Sequence, residues 1–210
     1  MNVSRAILQR IRPNDTALLV CDLQEKFRNS ILHFPEIVSV AKRMIDAATL
    51  LDMQILATEQ YPKGLGNLVP ELGLKELKTP VFDKTVFSMC IPNLTQQLRP
   101  NTKSILICGI EGHVCVLQSV LDFLDKGYAV QVVVDATSSR AAPDRFFWLQ
   151  LIRTSNCCRQ MERAGAVLTT SECAILGLCG GSDHPKFRQI QGIIKQSAPE
   201  TGLLSYLSHV

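Results

Sequence analysis

Six short apolar runs, separated by stretches with apolar residues at helical spacing, most restrict how this chain of 210 residues can fold. Each run is bounded by polar or turn-forming residues, as is typical of a buried strand. Strands that alternate with helices predict a parallel sheet with helices on both faces. The predicted strands are Thr16–Cys21, Gln54–Thr58, Pro80–Asp83, Ser104–Cys108, Ala129–Val134 and Ala166–Thr170.

The length and composition fit one α/β domain with a sizeable core. Hydrophobic residues make up 46% of the chain and charged residues 20%, as in ordinary globular proteins. We expect an N-terminal tail over residues 1–14 and a single domain over residues 15–210. The tail holds three arginines and no acidic residue before Asp15. It faintly resembles a mitochondrial presequence, with a solvated tail as the alternative.

Charge and cysteine usage exclude several classes of function. The net charge is +3 and the basic residues are scattered, so a nucleic-acid partner is not indicated. No apolar run approaches the length of a membrane span, so no membrane partner is expected. The eight cysteines form no C-x-x-C pair and follow no secretory signal, which predicts reduced thiols and no zinc. We therefore expect a cytoplasmic protein, with the nucleus and the mitochondrion as alternatives.

Polar residues at strand ends are the candidates for function, because ligands of such sheets bind beyond the carboxyl ends of the strands. Cys115 begins the helix that follows the fourth strand, where unpaired N–H groups and the helix dipole favour a thiolate. A packing role is the alternative, because free cysteines are often buried. The strand-end candidates are Asp22, Glu59, Lys84, Glu111, Cys115 and Asp135.

Three of these candidates together suggest a reaction. Asp22 would accept the proton of Cys115 and later return it to a leaving amine, while the Lys84 ammonium holds both anions in place. The thiolate would attack a carbonyl and form an acyl-enzyme, with backbone N–H groups stabilising the oxyanion. A helix-capping role for Asp22 and a solvated Lys84 are the structural alternatives.

Three segments resemble the isochorismatase-like cysteine hydrolases: CDLQEKF over 21–27, FDKTVFS over 82–88 and GIEGHVCV over 109–116. The segments TEQYPKGLG, VVVDATSSR and AGAVLTTSE resemble one subgroup of that family, the isochorismatase domain-containing proteins. The resemblance implies a doubly wound α/β fold with six mostly parallel strands, a Rossmann-like three-layer sandwich. It also implies a homo-oligomer.

The resemblance further implies roles around the predicted nucleophile. Asp22, Lys84 and Cys115 would be the catalytic triad. The backbone amides of Glu111 and Cys115 would form the oxyanion hole, next to a non-proline cis peptide bond at Ile110–Glu111.

Phe27 and Tyr61 are candidate substrate contacts, whereas His113 is not. Phe27 matches a family position that lines the pocket. Tyr61 belongs to the loop 59–68, one of three segments expected to determine specificity together with 24–34 and 85–92. His113, beside the nucleophile in sequence, is expected to have a structural or surface role.

Departures from the family pattern limit the expected chemistry. No histidine follows the second strand, where metal-binding members of the superfamily place ligands, so we expect no metal and no cofactor. A retained Cys115 favours a small-molecule substrate with an amide or related C–N bond over the vinyl ether of isochorismate. The segment between Pro143 and Gly165 is long, and we predict an insertion near 148–156 within the fifth crossover.

Two other functions stay open from the sequence. The chain could be a catalytically silent protein that keeps the fold as a binding or scaffold module. Cys115 could instead be a redox-sensing thiol, with Cys21 and Cys108 also lying near strand ends.

Overall fold

The six predicted strands form one parallel sheet in the computed structural model, which describes residues 10–141, Asp144, Met161 and 164–201. The strand order is β3-β2-β1-β4-β5-β6, and all five neighbouring pairs are parallel. The predicted doubly wound α/β architecture is therefore confirmed. The strands are β1 (Thr16–Cys21), β2 (Gln54–Gln60), β3 (Val81–Lys84), β4 (Ser104–Ile110), β5 (Ala129–Ser138) and β6 (Val167–Thr169).

Helices cover both faces of this sheet. The first helix begins at Phe34 and carries Pro35 in its first turn, where the missing N–H of proline costs no hydrogen bond. The helix after β4 is preceded by a π-helical turn over Gly112–Val116. The α-helices are α1 (Phe34–Leu50), α2 (Pro62–Leu65), α3 (Pro92–Thr95), α4 (Leu117–Asp125), α5 (Ser171–Cys179) and α6 (Phe187–Lys195).

The sheet separates two apolar cores, and the alternation of side chains along β1 assigns its residues to them. Leu18 and Val20 point into the core under α1, α5 and α6. Leu19 and Cys21 point into the core under α4. Because successive side chains of a strand face opposite sides, the thiol of Cys21 lies on the same side of the sheet as α4.

Large side chains fill each core. Phe34 of α1 is 1% exposed and Phe123 of α4 is fully buried. Burying an aromatic side chain of this kind contributes about 1.5–3 kcal/mol relative to leaving it exposed. These two helices are therefore firmly attached to the sheet that positions the strand-end residues.

Three observations concern the N-terminal segment, the crossover from β5 to β6 and the lengths of the helices. Ile11 is 6% exposed and packs into the core under α1, although it falls within the range predicted as a tail. The insertion predicted near 148–156 lies outside the described residues. Among the residues that are described, no helix is both long and apolar enough to cross a membrane.

Candidate active site

The predicted catalytic residues meet where the chain reverses its direction across the sheet. From the central strand β1 the chain continues outward to β2 and β3, and it then crosses back to β4. This reversal leaves a crevice at the carboxyl ends of β1 and β4. Asp22 follows β1, Lys84 is the last residue of β3, and Cys115 lies in the turn after β4. The structure brings these three side chains into one buried cluster.

A buried ion pair between Asp22 and Lys84 forms the centre of this cluster. The Nζ atom of Lys84 lies 2.6 Å from Oδ2 of Asp22, and the two side chains are 0% and 2% exposed. The ammonium also donates to Oε1 of Gln60 at 2.7 Å and to the carbonyl oxygen of Phe87 at 2.8 Å. An ammonium has three protons, so these acceptors fix its orientation.

The charges around Lys84 keep it protonated. Burial lowers the pKa of Lys84, but the influence of the neighbouring Cys21, Asp22 and Cys115 outweighs burial and raises the pKa above its ordinary value. Lys84 therefore supplies a permanent positive charge to a site whose other titratable groups are a carboxyl and two thiols.

Asp22 is held in an unusual backbone conformation by its neighbours. Its φ of +52° is left-handed, which costs a non-glycine residue about 1–3 kcal/mol. Its N–H donates to the carbonyl oxygen of Thr58 at 3.2 Å, and Oγ1 of Thr58 donates to Oδ1 at 2.7 Å. Burial raises the pKa of Asp22, while Lys84, Thr58 and a hydrogen bond from Cys115 partly offset that rise. A carboxylate that accepts a hydrogen bond from a thiol is suited to take its proton.

Cys115 is held in place by the π-helical turn. The N–H of Val116 donates to the carbonyl oxygen of Glu111 at 3.1 Å, five residues earlier, and the Cys115 side chain is directed inward with 5% of the residue exposed. Oγ of Ser119 donates to the carbonyl oxygen of Cys115 at 2.5 Å and accepts from the N–H of Met89 at 2.7 Å. Ser119 thereby connects the turn of Cys115 to the loop that follows β3.

Gly109 is required where β1 and β4 approach each other beside the site. Its φ is +124°, and a Cβ atom there would lie 2.1 Å from the carbonyl oxygen of Cys21. The expected cis bond at Ile110–Glu111 is wrong, because that bond, like every peptide bond of the described residues, is trans. A trans bond is favoured by about 3–4 kcal/mol for a non-proline residue. The change of chain direction is made instead by Gly109 and the π-helical turn.

Glu111 and His113 form a polar network at the rim of the site. One carboxylate oxygen of Glu111 accepts from the N–H of Arg140 at 3.0 Å and lies 3.5 Å from Nδ1 of His113. Nδ1 of His113 is also 3.1 Å from Oγ of Ser139. Burial raises the pKa of the Glu111 carboxyl. These contacts fit the structural role expected for His113, and the oxyanion role of the Glu111 and Cys115 amides stays a prediction.

Phe27 and Tyr61 lie on different parts of the surrounding surface. Phe27 is half-buried and packs against the core under α1. Tyr61 is 54% exposed, and its N–H donates to the carbonyl oxygen of Lys84 at 2.9 Å. Tyr61 is thus connected to the backbone of the catalytic candidate, and the substrate-binding roles of both residues stay predictions.

Two of the strand-end candidates have structural contacts instead. Oε1 of Glu59 accepts from the N–H of Leu68 at 2.7 Å, which holds the loop after β2. The carboxylate of Asp135 accepts from the N–H and the hydroxyl of Ser171, at 2.7 and 2.6 Å, at the start of α5. Both carboxylates therefore hold the backbone of neighbouring segments.

A pair of glutamines, which the sequence reasoning missed, links the loops around the site. Oε1 of Gln24 accepts from the N–H of Gln60, and Nε2 of Gln24 donates to the carbonyl oxygens of Gln60 and Gly66. Gln60 also donates to the carbonyl oxygen of Thr85 at 2.9 Å and accepts from Lys84. The strand-end rule could have identified Gln60, because it is the polar residue that ends β2.

Cys21 is the other residue whose place in the site was missed. Its Sγ atom lies 3.5 Å from Oδ2 of Asp22, and its side chain interacts with that of Cys115. The alternation along β1 predicts the face on which Cys21 lies, but not this contact.

Among the described residues, no group of three or more histidine, cysteine or acidic side chains is arranged to hold a metal ion.

Comparison with known proteins identifies the family. The model of the isochorismatase domain matches residues 16–172. The chain is 49% identical over 198 residues to isochorismatase domain-containing protein 2 of Xenopus laevis, covering 93% of this chain and 91% of the relative. It is 48% identical over 206 residues to the human protein of that name, covering 97% and 95%. These relatives confirm the expected subgroup.

A solved structure agrees with the fold. The structure of MAR1 ribonuclease from Caenorhabditis elegans is 54% identical, with a TM-score of 0.84 over 93% of this chain and 97% of that chain. The parallel sheet, the cluster at its switch point and the sequence matches lead to one conclusion: this chain belongs to the isochorismatase family.

Proposed function

We propose that this protein is a cysteine hydrolase that cleaves an amide or related C–N bond of a small molecule. The observation that carries the proposal is the buried ion pair of Asp22 and Lys84, 2.6 Å apart, with the thiol of Cys115 on the same carboxylate. A base, a fixed positive charge and a nucleophile in contact are what acyl transfer through a thioester needs. Belonging to the isochorismatase family supports a hydrolase in general terms.

The first half of the proposed reaction forms a thioester. The Asp22 carboxylate takes the proton of the Cys115 thiol, and the thiolate attacks the substrate carbonyl. The amides of Glu111 and Cys115 are the proposed donors to the oxyanion. Asp22 then gives its proton to the leaving nitrogen, and the amine departs.

The second half releases the acid. Asp22, again a carboxylate, takes a proton from a water molecule that attacks the thioester carbonyl. The Cys115 thiolate leaves, is stabilised by the charge of Lys84 and takes back the proton from Asp22, and the product is a carboxylic acid. Phe27 and Tyr61 are the proposed substrate contacts, and we keep a homo-oligomer as the proposed assembly.

Ribonuclease activity is a second candidate, favoured by the name of the 54% identical structure from Caenorhabditis elegans. The site argues against it on charge. Cleavage of a phosphodiester builds up negative charge on phosphate oxygens, and here the three protons of the Lys84 ammonium are already donated to Asp22, Gln60 and Phe87. An amide carbonyl, which develops a single negative charge, suits this site better.

Covalent labelling tests the mechanism without knowledge of the substrate. An electrophilic small amide or aldehyde should modify Cys115 of the native protein, as located by peptide mass spectrometry. Cys115→Ala should abolish labelling and Cys108→Ala should not, because burial raises the pKa of Cys108 to about 12 and keeps that thiol protonated. Equal labelling of the native protein and Cys115→Ala would contradict the proposal.

A substrate panel separates the remaining functions. Small amides, ureas and pyrimidine-derived compounds should include a substrate that is turned over by the native protein and not by Cys115→Ala. An RNA oligonucleotide belongs in the same panel, and its cleavage independent of Cys115 would favour a ribonuclease. Absence of both labelling and turnover would favour a catalytically silent scaffold.

A further inference from the structure

Two thiols, and not one, face the carboxylate of the candidate active site. Cys21 ends β1, and its Cα pairs in register with Gly109 of β4. The π-helical turn then brings Cys115 back over the same face of the sheet, and both cysteines belong to the core under α4. Their side chains interact with each other, Sγ of Cys21 lies 3.5 Å from Oδ2 of Asp22, and Cys115 also interacts with that carboxylate.

We propose that Cys21 and Cys115 are a reversible oxidation site, in which peroxide oxidises Cys115 and Cys21 then closes a disulfide bond with it. The oxidation needs the thiolate of Cys115 and a small oxidant. It does not need Cys115 to hydrolyse a substrate, so it stands apart from the proposed hydrolase activity.

The surroundings give the two cysteines different parts. Cys115 is 5% exposed, whereas Cys21 is fully buried, so an oxidant from solution reaches Cys115 first. The pKa of Cys21 is raised, first by burial and then by the neighbouring Cys115 side chain and the charge of Asp22. Cys21 therefore stays a protonated thiol. The residue that is attacked and the residue that resolves are thus distinct.

The proposed oxidation balances with one peroxide. The Cys115 thiolate attacks one peroxide oxygen, forming an S–O bond and breaking the O–O bond, and hydroxide leaves and takes a proton. Cys21 loses its proton to the Asp22 carboxylate, 3.5 Å away, and its sulfur attacks the sulfenic sulfur of Cys115. An S–S bond forms, the S–O bond breaks, and the oxygen leaves as water with that proton. Two thiols are oxidised and one peroxide is reduced to two waters.

Cys108 is not an alternative partner, although it also lies near a strand end. Its side chain belongs to the core on the opposite face of the sheet, under α1. Its Sγ atom lies 3.8 Å from the carbonyl oxygen of Leu19. Cys108 is therefore a matched control, a buried strand cysteine that the proposal leaves unoxidised.

Peptide mapping tests the proposal on the intact native chain. The protein is treated with hydrogen peroxide, free thiols are blocked with N-ethylmaleimide, and the protein is digested without reduction. We expect a linked pair of peptides containing Cys21 and Cys115, lighter by two hydrogen atoms than the separate peptides and released by dithiothreitol. Native protein that yields sulfinic Cys115 and no linked pair would overturn the proposal.

Variants then separate a resolving role from mere proximity. In Cys21→Ala, peroxide should drive Cys115 to sulfinic and sulfonic acids, a loss of free thiol that dithiothreitol does not reverse. Cys108→Ala should keep the reversible linked pair. Equal irreversible loss at Cys115 in the native protein and Cys21→Ala would refute the resolving role. The peptide map of the native protein needs no variant, so the test does not depend on how well Cys21→Ala folds. A linked pair in a protein that turns over no substrate would support this proposal and not the proposed hydrolase activity.

Discussion

Replacing Lys84 by methionine should destabilise the protein far more than the same change at Lys186. Both lysines place Nζ 2.6 Å from an aspartate oxygen, so the two ion pairs have the same length. They differ in burial, because the side chains of Lys84 and Asp22 are 0% and 2% exposed, whereas those of Lys186 and Asp52 are 37% and 84% exposed. The comparison therefore isolates the effect of burial.

The magnitude follows from the charge that is left behind. Lys84→Met leaves the Asp22 carboxylate buried without its counterion, and breaking a buried pair in this way costs about 3–5 kcal/mol. That is roughly a fifth or more of the 5–15 kcal/mol by which a typical domain is stable. Lys186→Met should leave the free energy of unfolding nearly unchanged, because water already screens the exposed pair.

Urea unfolding followed by circular dichroism measures both variants, with an unchanged slope as the check that the same transition is observed. The double variant Asp22→Asn/Lys84→Met, which leaves no buried charge, should be more stable than Lys84→Met alone. The deficit of Lys84→Met should also shrink as pH falls. Without Lys84 the pKa of Asp22 rises further, so the folded state binds a proton that the unfolded state does not. Equal midpoints for Lys84→Met and Lys186→Met would refute the reasoning.

Three further predictions concern the same region. Gly109→Ala should lower the free energy of unfolding by about 1–3 kcal/mol because of the positive φ, and by a comparable amount because the new Cβ overlaps with β1. Gly192→Ala, on the exposed face of α6, should instead raise that free energy by up to about 1 kcal/mol. Similar urea midpoints for the two variants would contradict this reasoning. Ser119→Ala should lower stability by about 1–3 kcal/mol in the same assay, because the N–H of Met89 loses its acceptor, and an unchanged midpoint would mean that another group replaces the hydroxyl. The pKa of Lys84 is raised in the folded protein, so protonated Lys84 stabilises the fold fully at any pH below its ordinary pKa. This stabilisation should be lost as pH rises through the pKa of Lys84 in the folded protein. Alkaline titration followed by circular dichroism should show this loss in the native protein and not in Lys84→Met.

The strands could be predicted from sequence because their interiors are apolar, and their ends could not because pairing there involves only the backbone. Glu59 and Gln60 extend β2 beyond its predicted end at Thr58, since their backbones pair with Asp83 and Lys84 of β3. Their polar side chains resemble those of a loop. β5 likewise continues past Val134, through a polar segment that pairs with the end of β4.

The candidate site was predictable to the extent that topology determines it. Parallel strands place their carboxyl ends at one edge of the sheet, and this is enough to bring Asp22, Lys84 and Cys115 close together. The contact between Cys21 and Cys115 depends on the π-helical turn, and hydrophobic periodicity does not distinguish such a turn from an α-helix. The cis bond at Ile110–Glu111 was inferred from the family resemblance alone, and the structure has a trans bond at this position.

The paired glutamines have a consequence for how this fold can change over evolutionary time. Gln24 and Gln60 hold three loops by neutral hydrogen bonds between their side-chain amides and the backbone. Each bond reaches a backbone atom of the partner segment, whose identity does not depend on the side chain there. The loops can therefore exchange side chains while the hydrogen bonds that hold them around the cluster of Asp22, Lys84 and Cys115 are kept.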